Sequence, residues 1–238
     1  MNSSILRCLL LVIFLCCSLF GYGQGKVIRP TNQQSRTSIH KTSRNVTISE
    51  PDGYINGHGY VDLGLPSGLK WATCNLGAST PSDYGNYYAW GETSTKSSFN
   101  ENNSLTFGKT TSELESSGII NSEGNLTMTH DASRINWGST WRMPTKENYE
   151  ELINNCKWTR TIVNGKRGYL LVGPNKKTIF LPEAGYKIDE RHNNAGMAGY
   201  IWCATAGNIR LHFDKYSYYN YINVGRLYDG CPIRSVSE

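Results

Sequence analysis

The residues best placed to do chemistry in this chain are aromatic. Tyr216, Tyr218, Tyr219 and Tyr221 crowd one short segment together with Lys215, Asn220 and Asn223. Rigid rings beside amide and ammonium donors suit the recognition of a glycan or a protein surface, because they supply contact area at low entropic cost. Tyrosine is also an ordinary strand residue, and alternation along a strand would commit half of these rings to packing. Tyr216, Tyr218, Tyr219, Tyr221 and Asn220 are therefore the expected ligand-binding residues, weighed against a packing role for the same side chains. Catalytic groupings are harder to find. His130, His192 and His212 stand alone, and neither a Ser/His/Asp order nor a His-Glu-x-x-His run occurs, so no residue is assigned to catalysis.

Sulfur is the other reactive element. Cys74, Cys156, Cys203 and Cys231 are the cysteines outside the N-terminal segment. In an exported protein an even number reads as two disulfides, with three connectivities open. A zinc site would use close pairs such as Cys-x-x-Cys, which are missing, so no metal and no cofactor is expected.

Export is read from the first residues. Arg7, the apolar run Leu9 to Leu15 and then Gly21-Tyr22-Gly23-Gln24 have the form of a secretory signal peptide over residues 1–23, cleaved near Gly23-Gln24. The run is shorter than the roughly 20 residues that span a bilayer, and nothing comparable follows, so no transmembrane segment is expected. Cys16 and Cys17 raise the question of a lipid anchor, but Leu15 and Cys16 precede them where such processing needs a small residue. The reading is a secreted protein or one displayed at the cell surface or outer envelope.

The formal net charge is +5, and it is unevenly spread. Lys26, Arg29, Arg36, Lys41 and Arg44 lie in a stretch without Asp or Glu, whereas from Asn45 onward 18 basic residues face 19 acidic ones. The basic balance thus belongs to a tail and argues against a nucleic-acid groove; such a tail suits association with an anionic cell envelope.

Residues 24–58 are polar and aperiodic and read as a flexible basic linker, because they cannot bury enough surface to offset chain entropy. Residues 59–238 hold all six tryptophans and form one domain. Within it, Tyr60 to Leu63 and Leu69 to Thr73 read as strands around the turn Leu65-Pro66-Ser67-Gly68. Asn164-Gly165 signals a tight hairpin, leading to Leu170-Leu171-Val172 and then Thr178 to Leu181. Ile209, Leu211 and Phe213 alternate with Arg210, His212 and Asp214 as in a half-buried strand. Two short helices are expected, Asp131 to Trp137 and Lys146 to Cys156, the second capped by Thr145. Residues 94–129 read as a long polar loop with marginal helix around Ser112 to Ser117. Patterning alone thus gives a loop-rich α+β domain of short antiparallel strands.

Four segments resemble a known family. Tyr60-Val61-Asp62-Leu63-Gly64-Leu65-Pro66-Ser67-Gly68-Leu69-Lys70-Trp71-Ala72-Thr73-Cys74-Asn75-Leu76-Gly77-Ala78, Tyr87-Tyr88-Ala89-Trp90-Gly91-Glu92, Trp141-Arg142-Met143-Pro144-Thr145 and Phe180-Leu181-Pro182-Glu183-Ala184-Gly185-Tyr186 are similar, in order, to the Fibrobacter succinogenes major paralogous domain, a family abundant in exported proteins of gut Bacteroidetes and related bacteria. The resemblance implies a C-type-lectin-like fold, akin to the formylglycine-generating enzymes, in which a helix precedes an Arg-(Leu/Met)-Pro-Thr turn and a second helix. Asp131 to Arg134, Arg142 to Thr145 and Tyr149-Glu150 are similar to that arrangement.

Trp71, Trp90, Trp137, Trp141 and Trp202 match family positions and are expected in the core, with Arg142 and Arg234 paired to buried carboxylates or carbonyls. The chain departs from the family at Trp202-Cys203-Ala204 and Cys231-Pro232-Ile233, and two unusual cysteines are most simply partners. The expected disulfides are therefore Cys203 with Cys231 and Cys74 with Cys156. The implied function is an exported, noncatalytic binding or adhesion module for a glycan or protein. Two alternatives follow from the fold group. One is a calcium-dependent lectin, although its Glu-Pro-Asn and Trp-Asn-Asp motifs are missing from the C-terminal half and Glu50-Pro51-Asp52 precedes the domain. The other is a thiol- and copper-dependent oxidase, although Cys203 and Cys231 are far apart in sequence.

Overall fold

Asn56-Gly57 reverses the chain with φ of 47° and 81°, the left-handed pair that a type I′ hairpin requires. It joins β1 (Gly53–Ile55) to β2 (His58–Asp62), with Ile55 opposite His58. The computed structural model describes residues 47–216 and 221–238. Just before β1, the Ser49 N–H donates to Thr178 Oγ1 and the Thr178 N–H to Ser49 Oγ, both at 2.8 Å. The folded region thus includes Thr47 to Gly57, and the boundary expected after residue 58 lies too late. The segment read as a signal peptide and the basic stretch to Arg44 lie outside the described residues.

The turn at Leu65-Pro66-Ser67-Gly68 closes with a 2.9 Å bond from the Gly68 N–H to the Leu65 carbonyl. It leads to β3 (Lys70–Ala72), where Trp71 faces Val61 across the pair. Three short α-helices follow among the described residues, the two expected and the marginal helix expected around Ser112 to Ser117. In α1 (Thr111–Ser116), Thr110 and Glu113 cap each other reciprocally. This helix falls within residues 94–129, which do more than loop: Phe99, Leu114, Ile119, Ile120 and Leu126 are buried. In α2 (Ala132–Trp137) the cap is Asp131, whose second oxygen accepts the Met143 N–H at 2.8 Å and so anchors the Trp141-Arg142-Met143 turn. Thr145 and Asn148 cap α3 (Lys146–Asn155), and Asn148 Oδ1 also receives Arg142 Nη1 at 2.9 Å.

Asn164-Gly165 turns with φ of 46° and 75° between β4 (Lys157–Val163) and β5 (Lys166–Val172), and β6 (Thr178–Pro182) pairs on the far side of β5. A two-stranded ribbon follows, β7 (Tyr186–Ile188) with β8 (Arg191–Asn193). Next come β9 (Ala198–Trp202), β10 (Ile209–Asp214) and β11 (Tyr221–Val224), with β10 central in their sheet. Finally β12 (Val236–Ser237) returns to pair with β3 and closes the first sheet in the order β1-β2-β3-β12. The architecture of the described residues is α+β and strand-rich, made of small antiparallel sheets with three short α-helices. Among the described residues, no helix is long and apolar enough to cross a membrane.

Successive side chains of a strand point to opposite faces, and β9 uses both. Tyr200 and Trp202 enter a core with Tyr88, Trp90, Trp137 and Trp141, while Ile201 enters a second core with Trp71, Tyr149, Leu211 and Phe213. The five tryptophans matched to the family are all buried. Buried indoles need acceptors, and Trp90, Trp141 and Trp202 donate to the carbonyls of Cys203, Ile55 and Tyr88 at 2.9 to 3.0 Å. Arg234 is wholly buried and bonds the carbonyls of Ala72, Thr73 and Phe180 and Asn75 Oδ1, all at 2.9 Å. Contrary to its alternating pattern, β10 is buried on both faces: Arg210 pairs with the buried Asp229 at 3.0 Å, and His212 stacks on Tyr200.

The expected disulfides are not formed. All four cysteines are free thiols, and the packing gives the reason. Cys203 follows β9 into the second core, where its Sγ donates to the Ile209 carbonyl at 3.3 Å; Cys231 lies in the first core, near Arg210 Nη1 at 3.7 Å. The two belong to different cores, divided by β9. Cys156 ends α3 inside the second core, whereas Cys74 is half-buried beside Thr73, on the rim of a surface groove. Deviation from the family pattern was thus a poor guide to pairing.

Candidate ligand-binding groove

The register set by the Asn164-Gly165 turn places Ile162 opposite Arg167 and Arg160 opposite Tyr169, so all four side chains share one face of the hairpin. Toward the sheet centre that face buries Tyr169 and Leu171 in the second core. Toward the tip it carries two guanidinium groups. Arg160 is fixed by Glu183, which is fully buried and takes Nε at 2.5 Å and Nη2 at 2.8 Å in a fork. This hydrogen-bonded partner holds the Arg160 proton still more firmly than usual, and the side chain keeps 32% of its surface exposed.

Glu183 also ties its surroundings together through its backbone. Its N–H donates to the Arg167 carbonyl at 2.8 Å, and its own carbonyl accepts the Gly196 N–H at 2.6 Å. Asn194 and Gly196 have positive φ of 58° and 71°, which curls this turn back so that Asn194 Nδ2 reaches Tyr200 Oη at 3.1 Å. Arg167 Nη1 touches the Gly196 carbonyl at 3.5 Å. Hairpin, turn and the end of β10 together enclose an open groove of about 640 Å³, lined by Arg160, Arg167, Asn194, Met197, Tyr200, Asp214, Lys215 and Tyr216 among others. This lies within the usual size of a small-molecule site.

Tyr216 stands at its mouth with 75% of its surface exposed, and the Lys215 ammonium lies 4.5 Å from the ring centroid. Asp214 shapes the approach: its Oδ1 accepts the Tyr216 N–H at 2.7 Å, and its carbonyl accepts the Tyr169 hydroxyl at 2.8 Å. Beneath, Tyr200 stacks on His212 with centroids 4.5 Å apart, and the Arg210 guanidinium lies 4.5 Å from the Tyr200 ring. Burial pushes the His212 imidazole below its ordinary pKa; the nearby Arg210 cation adds to this and Asp214 opposes it. The groove thus offers an aromatic platform, an amide and cationic donors, but no grouping suited to bond-breaking.

Of the residues expected to bind ligand, Tyr216 is in this groove. Tyr218, Tyr219 and Asn220 lie outside the described residues, and of Tyr221 only the backbone is described, opposite His212 at the start of β11. Asn223 accepts from Arg210 Nε at 3.0 Å instead of facing a ligand. Arg160, Arg167, Asn194 and Met197 were overlooked in the sequence, although the Asn-Gly turn fixes the hairpin register and with it the shared face of both arginines.

A second groove, about 530 Å³, lies beside β1 and includes Pro51, Tyr54, His58, Cys74 and Trp137. His58 and Trp137 stack on each other at 4.0 Å, which uses one face of each ring internally. The remaining sequence candidates serve the fold. Asp52, from the Glu50-Pro51-Asp52 run, accepts the Asp62 N–H and pairs with Lys177. His192 Nε2 lies 2.9 Å from the Tyr87 hydroxyl, and His130 Nδ1 lies 3.0 Å from the Gly91 carbonyl. Burial pushes the thiols of Cys156, Cys203 and Cys231 up to about 12, which keeps them protonated at neutral pH. No group of three or more His, Cys, Asp or Glu side chains able to hold a metal ion converges among the described residues. Comparison with protein-family models, curated proteins and solved structures finds no match to this chain.

Proposed function

We propose that this chain is an exported, noncatalytic carbohydrate-binding module that uses the groove between the β4–β5 hairpin and the end of β10. The observation that carries the reading is an exposed Tyr216 ring lining the same groove as a guanidinium held in place by a buried carboxylate. A flat ring can pack against the apolar face of a sugar, while Arg167, Asn194 and Lys215 can meet its hydroxyls. A sugar fits better than a protein because, among the described residues that line the groove, the large exposed apolar side chains are Tyr216 and Met197, too little for the buried centre of a protein interface.

Membership of the Fibrobacter succinogenes major paralogous domain family, with C-type-lectin-like architecture, is part of the same proposal and rests on the ordered motifs from Tyr60 to Tyr186. So is secretion or surface display behind a cleaved signal peptide, with the basic stretch from Lys26 to Arg44 drawing the protein to an anionic envelope. The oxidase alternative would need two ionisable thiols side by side; Cys203 and Cys231 lie in separate cores and stay protonated.

The test is a glycan array probed with the purified chain, with and without calcium, beside the variant Tyr216→Ala. Retention of at least one glycan, weakened in the variant at unchanged melting temperature, is the expected result. Binding that ignores Tyr216 would move the site elsewhere, and capture of proteins but no glycan would overturn the carbohydrate reading.

A further inference from the structure

We infer that the ligand of this groove is an acidic sugar whose carboxylate is received by Arg160 and Arg167 while its ring lies on Tyr216. The inference rests on the carbohydrate reading above and goes on to the chemical class. From Asn45 onward the chain is nearly neutral, 18 basic residues against 19 acidic, so a local excess of one sign is a property of the site and not of the composition. The groove has that excess. Arg160, Arg167 and Lys215 line it against a single acid, Asp214.

Glu183 and Asp214 offset two of these three cations, and among the described residues Arg167 forms no ion pair, so a net positive charge remains on the groove. Glu183 is fully buried with both oxygens on Arg160, and Asp214 spends Oδ1 on the Tyr216 N–H. The two guanidinium groups sit on adjacent strands as diagonal neighbours of one face, a relation with Cβ atoms on the order of 7 Å apart that long side chains span readily. Arg160 keeps Nη1 beyond its fork with Glu183. Arg167 makes one long bond, 3.5 Å to the Gly196 carbonyl, so most of its donors remain for a ligand. Arg160 is already neutralised by Glu183, so a bridging carboxylate supplies Arg167 with the counter-charge it lacks while making charge-assisted bonds to both.

An acidic peptide could satisfy the arginines, but it would leave the exposed Tyr216 face without a flat partner. A sugar acid uses the ring, the amide of Asn194 and the cations at once.

The experiment measures binding of the full chain to polygalacturonate, its methyl ester, a neutral galactan, a sulfated galactan and polyglutamate at two salt concentrations. The acid form should bind at least about tenfold more tightly than its methyl ester, the loss of one charge-assisted bond being worth about that factor. Arg167→Gln should abolish that preference, and Tyr216→Ala should weaken acid and ester alike. Both positions are exposed, so folding is not at stake; Arg160 is left intact because Glu183 depends on it. Equal binding of acid, ester and neutral polymer would overturn this inference and leave the carbohydrate reading standing. Equal or tighter binding of the sulfated polymer would replace the carboxylate with charge alone, and equal binding of polyglutamate would replace the sugar. Binding to none of the saccharides would overturn the carbohydrate reading itself.

Discussion

The Arg160–Glu183 pair should respond asymmetrically to the loss of either partner. Glu183 is fully buried, whereas the Arg160 side chain keeps 32% of its surface in water. Arg160→Met strands a carboxylate that cannot rehydrate, a situation that costs about 3–5 kcal/mol. Glu183→Gln leaves a cation that can turn outward to solvent and an amide oxygen still able to accept from it, so about 1–2 kcal/mol is expected. In a domain of this size the first cost corresponds to about 6–20 °C in melting temperature and the second to about 2–8 °C. The double variant should cost less than the sum of the singles, since both remove the same fork. Urea denaturation of the four proteins gives all three quantities. An Arg160→Met variant no less stable than Glu183→Gln would refute the reasoning, because burial of the carboxylate could then not be what makes the pair one-sided.

Gly199 lies where a Cβ would come within 2.0 Å of the Phe213 ring, so Gly199→Ala should destabilise by about 1–3 kcal/mol or more in the same denaturation assay; a silent change would mean the β9–β10 packing is looser than described. Acid should weaken the fold before its carboxylates protonate. Burial lowers the pKa of His212, and also that of His58, from the ordinary 6.5, so the unfolded chain takes up protons first; stability is full above about pH 6.5 and falls as pH drops through the lowered native values, and His212→Gln should flatten that slope in a pH series of melting temperatures. Alkylation of native protein should mark Cys74 and spare Cys156, Cys203 and Cys231 until denaturant is added, with no change of melting temperature under reductant; a bridged peptide in a non-reducing map would refute the free-thiol arrangement.

What could be read from the sequence was local. Asn164-Gly165, Leu65 to Gly68 and the Thr145 cap each fix geometry through two or three neighbouring residues, and each stands where expected. Asn56-Gly57 carries the same signal, but its polar surroundings give no strand pattern on either side. Features that depend on long-range packing were not legible. β10 alternates like a strand with one wet face, yet Arg210 is buried because Asp229, 19 residues away, neutralises it. The cysteine pairing failed for a related reason: parity along β9 sends neighbouring residues to different cores, and nothing near Cys203 in sequence says where Cys231 lies. The groove was half visible. Tyr216 stands out in the sequence by its type and neighbours, but Arg160 and Arg167 become a pair only when a strand register folds them onto one face.

That register also explains why the proposed binding site is placed here and not on the longer loop of residues 94–129. A donor is useful to a ligand only if its position is set before the ligand arrives, since otherwise binding must offset the entropy of ordering it. Arg160 and Arg167 stand on paired strands whose other end is anchored in the second core by Tyr169 and Leu171, and Glu183 holds Arg160 from below. Tyr216 is set by the Asx-type bond from Asp214 at the end of β10, a strand buried on both faces. By contrast, the long loop spends most of its apolar residues, Phe99, Leu114, Ile119, Ile120 and Leu126, on its own burial. A scaffold arranged this way can change specificity by exchanging rim residues such as Arg167, Met197 and Tyr216, none of which either core depends on. Three substitutions confined to those positions should therefore alter binding with little change in stability, the opposite of the outcome at Arg160.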